Sequence, residues 1–201
     1  MVVLFLVFRP SCWLIPVELL LFLVLVWAFA FFRDPGRIII PDEMVLYSPA
    51  DGKITDIAIV DDSALGPGTT RIGMFLSIFN VHINRVPCSV RVENVIYKKG
   101  KFINAMSPEA SGKNESNDVL MIRLSGPKDR LRVRQVTGAI ARHIVCKAKA
   151  GDEYTQGDQF GMIKFGSRTE LYIPAGSKFQ VDVKIGDKVR AGLTPLARYL
   201  K

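Results

Sequence analysis

From Trp13 to Phe32 the chain is apolar except at Pro16 and Glu18, and Leu19 to Phe32 is unbroken. About 20 apolar residues are needed to cross a bilayer as a helix, so this run predicts a membrane span. Met1 to Phe8 is also apolar and is set off by Arg9-Pro10, which leaves a re-entrant hairpin as a second arrangement. A secretory signal competes with both, but no small-residue cleavage site precedes Arg33-Asp34-Pro35. Glu18 is expected near the interface or against another helix.

Past Met44 the period shortens to that of strands. Apolar or alternating runs at Ile54–Val60, Ile72–Ile78, Val90–Glu93, Val95–Tyr97, Val119–Leu124 and Leu131–Val136 are separated by turn residues and by a polar loop at 107–117. Short strands at this spacing predict a mainly antiparallel β sandwich or barrel. The organisation that follows is a hydrophobic anchor over 1–32 and a β domain over 33–201. Arg130, Arg132 and Arg134 share one strand face, most simply a solvated one, or one that meets lipid phosphate.

A repeat lies inside the β domain. Ala150-Gly-Asp-Glu-Tyr-Thr-Gln-Gly157 returns 35 residues later as Ile185-Gly-Asp-Lys-Val-Arg-Ala-Gly192. The glycines supply the positive φ that tight hairpins require. The pattern resembles the hairpins of lipoyl and biotinyl half-barrels and implies a pseudo-symmetric fold with Ser167 between the copies.

Charge changes the picture of partners. Arg9 and Glu18 are the only charges in the first 32 residues and cancel, so the net +8 belongs to the β domain. That balance fits an anionic partner. Without a long basic run or basic–aromatic interleaving, a membrane surface is favoured over nucleic acid. Cys12, Cys88 and Cys146 are too few and too scattered for a disulfide framework or a zinc site, and read as reduced thiols of a cytosol-facing protein.

Candidate chemistry centres on Phe165-Gly-Ser-Arg168. Gly-Ser is an ordinary turn dipeptide, but Ser48-Pro-Ala-Asp-Gly-Lys53 and Phe79-Asn-Val-His-Ile-Asn-Arg-Val-Pro87 precede it in the chain. An Asp, a His and a Ser that meet in space would make an activated nucleophile. Only His82 and His143 offer a base with an ordinary pKa near neutrality, and the alternation around His143 puts it on an exposed strand face. Asp-Gly at Asp51-Gly52 is also the commonest turn signal between strands.

These three stretches, behind an apolar N-terminus ending in Phe31-Phe-Arg-Asp-Pro35, resemble the short, membrane-linked form of phosphatidylserine decarboxylase, over about Trp13 to the C-terminus. The resemblance implies self-cleavage between Gly166 and Ser167, conversion of Ser167 to a covalent pyruvoyl cofactor, and fragments 1–166 and 167–201. It implies His82 as base with Asp51 orienting it, and a serine phospholipid of diacyl or archaeal ether type as substrate. Arg33 and Arg37 just past the span predict the β domain on the cytoplasmic side of the cell membrane; no metal is expected, and oligomers are possible. The long form of the family carries two histidines where this chain has His82 and Arg85, so His82 is expected to serve both cleavage and decarboxylation. Asn114-Glu115 resembles an Asn-Glu-Arg element but has Ser116 in third place, and is not taken as a site.

Two other classes compete. A membrane-tethered carrier would bear its arm on Lys164, as biotinyl domains do at a hairpin tip. A membrane-anchored serine hydrolase would use Ser167 directly, but the chain has no Gly-x-Ser-x-Gly elbow. Both would leave the chain intact.

Overall fold

The computed structural model describes residues 14–107, 109–140, 142–164, 166–176 and 178–200. The hairpin expected from Met1–Phe8, and Cys12, lie outside them. The chain divides at Asp34–Pro35 into two compact units. In the first, helix α1 (Leu14–Phe31) is long and apolar enough to cross a membrane, and 6% of it is buried.

Among the described residues the second unit has fourteen strands, β1 to β14, and one helical turn, α2 (Ala110–Lys113). Eight of the strands form the central sheet. In spatial order they are β13 (Lys188–Val189), β2 (Gly52–Asp62), β3 (Gly66–Leu76), β11 (Ser167–Ile173), β7 (Arg130–Val136), β6 (Ser116–Arg123), β5 (Val90–Lys98) and β9 (Glu153–Tyr154). Two three-stranded sheets complete the fold. One has the order β1 (Val45–Tyr47), β14 (Pro195–Tyr199), β12 (Phe179–Val181); the other has β4 (Ile83–Arg85), β10 (Gln159–Lys164), β8 (His143–Cys146). Pairing is antiparallel throughout these strands, and the sheets make a sandwich-like layer structure rather than a closed barrel.

The alternation read from sequence becomes this core. Ile54, Met74, Val119, Met121, Val133, Leu171 and Ile173 face inward from the central sheet and meet Leu46, Val86, Phe160 and Leu196. Each such side chain contributes about 1.5–3 kcal/mol on burial. The β2–β3 hairpin closes where Asp62 Oδ1 accepts from the Ala64 and Leu65 amides, a side chain standing in for a backbone turn acceptor.

The internal repeat is structural. Gly151 and Gly186 both have positive φ, 93° and 99°, and donate to Val92 O and Ile54 O respectively. Asp152 and Asp187 each accept from the amide three residues earlier. The two copies lead into β9 and β13, the opposite edges of the central sheet, so β11 sits near its middle.

The arginine stripe differs from the sequence expectation. Arg132 is buried, paired with Asp62 and stacked 3.9 Å from the centre of the Tyr172 ring. Arg134 grips both oxygens of Asp118, at 2.6 and 2.8 Å. Alternating charge predicts a polar face, but here the face is lined by counter-charges from β2 and β6 instead of water.

Candidate active site

Ser167 opens β11 opposite Leu76 of β3, while its neighbour Arg168 lies opposite Val136 of β7. Continued one residue back, the same register sets Gly166 between Ser77 and Gly138. The Gly166–Ser167 bond therefore lies where three adjacent strands of the central sheet meet their loops. Gly166 has φ +53°, the left-handed region that a side chain would disfavour. Ser167 is fully buried, and its Oγ has no hydrogen-bond partner among the described residues. A buried hydroxyl left unsatisfied costs about 1–3 kcal/mol and calls for a reason.

Period two sorts β11 into two faces. Ser167 and Thr169 point to the core side, where Thr169 Oγ1 accepts from Asn84 Nδ2 at 3.1 Å. Asn84 Oδ1 accepts from Gln135 Nε2 at 2.9 Å, and Gln135 Oε1 from Asn117 Nδ2 at 3.0 Å. This buried amide chain fixes β4 against β11, β7 and β6. His82 lies two residues before Asn84, and its carbonyl accepts from Ile163 N at 3.2 Å, at the end of β10 that leads to Gly166. This bond sets the His82 backbone beside Ile163 at the end of β10, three residues before Gly166.

The His82 ring is buried, and its Nδ1 lies 3.0 Å from Asn80 O. A carbonyl only accepts, so Nδ1 carries the hydrogen, and the lone pair of a neutral ring would lie on Nε2. Asn80 is fixed in turn, since Ser77 donates to its Oδ1 from both N (2.9 Å) and Oγ (2.8 Å). One tight turn, Ser77–Asn80, thus links the strand opposite Ser167 to the orientation of His82.

Asp51, expected to orient that ring, has other partners. Its carboxylate pairs with Arg37 at 2.7 and 2.8 Å and accepts from Ala191 N at 2.8 Å. The contact on His82 Nδ1 comes from the Asn80 backbone carbonyl, which no side-chain pattern announces. Arg85 is buried and donates to Gly157 O at 2.9 Å. His143 is exposed at the start of β8, paired opposite Lys164. Lys164 therefore ends a paired strand and does not stand at a hairpin tip as a carrier lysine would.

The other face of β11 is ionic. Arg168 donates to Glu170 Oε1 at 2.6 Å and to Asp56 Oδ1, and Glu170 Oε2 accepts from Ser111 Oγ (2.9 Å) and Tyr172 Oη (2.7 Å). Burial alone would raise the Asp56 carboxyl, but Arg168 above all, then Arg71 and the Thr55 hydroxyl, hold it below its ordinary value. Burial and then the Glu170 charge raise the Tyr172 phenol. This lattice locks the residue next to the Gly166–Ser167 bond into the sheet.

A cleft of about 310 Å³ opens at Gly166, lined by Phe75, Ser77, Ile78, Asn104, Ala105, Ala139 and Ile140. Two residues missed in sequence build it. Gly138 lies so near the Gly166 carbonyl that a side chain there would collide with it. Asn114, set aside above, is fully buried and donates from Nδ2 to Ile103 O and Thr137 O, both 2.8 Å, tying the loop of Asn104 and Ala105 to the end of β7. The resemblance to Asn-Glu-Arg was the signal available for it.

A family model described as phosphatidylserine decarboxylase matches residues 24–197. The chain is similar to the phosphatidylserine decarboxylase proenzyme of Rhodopirellula baltica, 46% identical over 169 residues that cover 84% of this chain and 70% of that protein. It is 40% identical to the proenzyme of that name from Nitratidesulfovibrio vulgaris over 189 residues, 94% of this chain and 84% of the other. With the one from Carboxydothermus hydrogenoformans it shares 44% over 181 residues, 90% and 83% of the two chains.

Proposed function

We propose, for a chain that belongs to the phosphatidylserine decarboxylase family, that it cleaves itself between Gly166 and Ser167 and then removes carbon dioxide from the serine headgroup of a membrane phospholipid. The observation that carries the reading is the buried, unsatisfied Ser167 Oγ directly following a left-handed glycine. A glycine free to take the left-handed conformation beside a buried, unpaired nucleophile is an arrangement suited to self-attack.

In this reading His82 Nε2 takes the Ser167 Oγ proton as Oγ attacks the Gly166 carbonyl carbon. The amide C–N bond breaks, its nitrogen receives the proton, and an ester joins the two residues. Loss of the Ser167 α-proton expels the Gly166 carboxylate, leaving dehydroalanine at 167. Addition of water and departure of ammonia then give an N-terminal pyruvoyl group. That group supplies a carbonyl that draws electrons from the bond to the departing carboxylate.

The chain's own residues do the rest. Phe75, Ile78, Ala105, Ala139 and Ile140 surround the cleft at Gly166 with apolar surface, which favours neutral carbon dioxide over a carboxylate. His82 holds the proton that replaces carbon dioxide on the product. Arg168, clamped by Glu170 and Asp56, keeps the new N-terminus in register after cleavage. Asp51 pins Arg37 and the Ala191 loop. Helix α1 anchors the enzyme in the membrane that contains its substrate, and Arg33 just beyond it supports a cytoplasmic side for the β domain.

The test is carbon dioxide release from vesicles of phosphatidylserine. Wild type should release it and Ser167→Ala should not. Equal release by both would end the proposal.

A further inference from the structure

The cleft at Gly166 is bordered by residues whose chain neighbours are unusually exposed for their chemistry. Phe79, next to lining residue Ile78, is 71% exposed; Met106, next to Ala105, is 59%; Ile140, itself at the mouth, is 66%. They come from three separate loops, after β3, before α2 and after β7. An isolated apolar side chain on a surface needs no explanation, but three flanking one opening do.

Cations accompany them. Lys101 and Arg142 are exposed, and the Arg142 guanidinium lies 5.6 Å from the centre of the Phe102 ring, which joins two of the loops. Apolar tips set among cations form the pattern of a surface that rests in the headgroup–acyl boundary of anionic lipid. A water-filled approach to the cleft would gain nothing from Phe79 and Met106, whereas a lipid whose headgroup must reach Gly166 keeps its chains in the bilayer.

We infer that Phe79, Met106 and Ile140 form an apolar rim that enters an anionic lipid interface, with Lys101 and Arg142 meeting its phosphates, so that the cleft at Gly166 opens directly onto the bilayer. The inference rests on the decarboxylase reading and assigns a second membrane contact in addition to helix α1. Its occupant is the lipid surface and not another protein.

The experiment uses the full chain with Trp13 and Trp27 replaced by Phe, reconstituted in phosphatidylglycerol vesicles whose acyl chains carry bromine. A single tryptophan is introduced by Met106→Trp, or by Ile59→Trp as control. Ile59 is 78% exposed and pairs with Thr70, six residues along β3 from Leu76, so it lies about 20 Å from the Ser167 end. Met106→Trp emission should be quenched by bromine and shifted to shorter wavelength, and Ile59→Trp emission should not. The variant Met106→Ser should self-cleave normally and turn over dispersed short-chain substrate as wild type does, yet lose about tenfold in turnover on vesicles.

Unquenched Met106→Trp emission, or a wavelength shift without quenching (the sign of contact with a second copy), would overturn the rim. Quenching is read without turnover. A quenched chain that neither cleaves nor decarboxylates would therefore count against the decarboxylase reading and in favour of the rim.

Discussion

A Cβ on Gly138 would stand 2.2 Å from the Gly166 carbonyl oxygen and 3.2 Å from Ala105 Cβ. The bond proposed to break is thus held by the end of β7 as well as by β11 itself, and glycine is the residue that lets the two strands approach. Gly138→Ala should push the Gly166 carbonyl out of place, at about 1–3 kcal/mol of overpacking. Fragment appearance should slow in a folded protein, checked by a gel time course beside a melting curve. A rate equal to wild type would mean that the carbonyl position is not what limits cleavage.

His82→Ala removes the proposed base while leaving the Ser77–Asn80 turn intact. Unprocessed chain should accumulate, with cleavage slower by about 10²–10⁴-fold. Any mature fraction should also be slow in carbon dioxide release per mole of 167–201 fragment. His143→Ala, an exposed position, should behave as wild type. Normal cleavage in His82→Ala removes it as the processing base; normal turnover per mature chain removes it from decarboxylation.

Asp51→Asn separates orientation from stability. The Arg37 and Asp51 side chains are 5% and 12% exposed, and removing one partner of a buried pair leaves the other uncompensated, at about 3 kcal/mol. The expected result is a lower midpoint in urea, with cleavage recovering at low temperature where the fold is intact. A cleavage defect that persists in fully folded protein would return Asp51 to the chemistry.

Asp56 gives a pH signature. Its carboxyl is held below its ordinary value chiefly by Arg168 against the opposing effect of burial. It therefore contributes stability that is fully present above the unfolded carboxylate pKa of about 4 and is lost as pH falls through the lower folded value. The midpoint of Asp56→Asn should lie below that of wild type near neutrality, and the two should converge in acid. Parallel curves would show that the Arg168 clamp has no electrostatic part.

Strand identity was legible because alternation survives burial on one face, as in Val90–Glu93 and Leu131–Val136. The repeat was legible because Gly151 and Gly186 are demanded by backbone conformation. Arg132 and Arg134 misled because a charged stripe reads the same whether water or a set of aspartates faces it, and Asp118 reaches it only through the register of β6 with β7, Asp62 from the end of β2. Ser167 and His82 could be singled out by residue type. Gly138 and the Asn80 carbonyl could not, since one acts by lacking a side chain and the other through its backbone.

The most direct test is the intact mass and denaturing gel of the purified full chain beside Ser167→Ala. Wild type should separate into fragments 1–166 and 167–201. The smaller should be blocked at its N-terminus, reactive to carbonyl reagents and lighter by one ammonia than a peptide beginning with serine, while Ser167→Ala stays whole. A wild-type chain that remains whole while releasing carbon dioxide, or a Ser167→Ala chain that splits equally, would contradict the account.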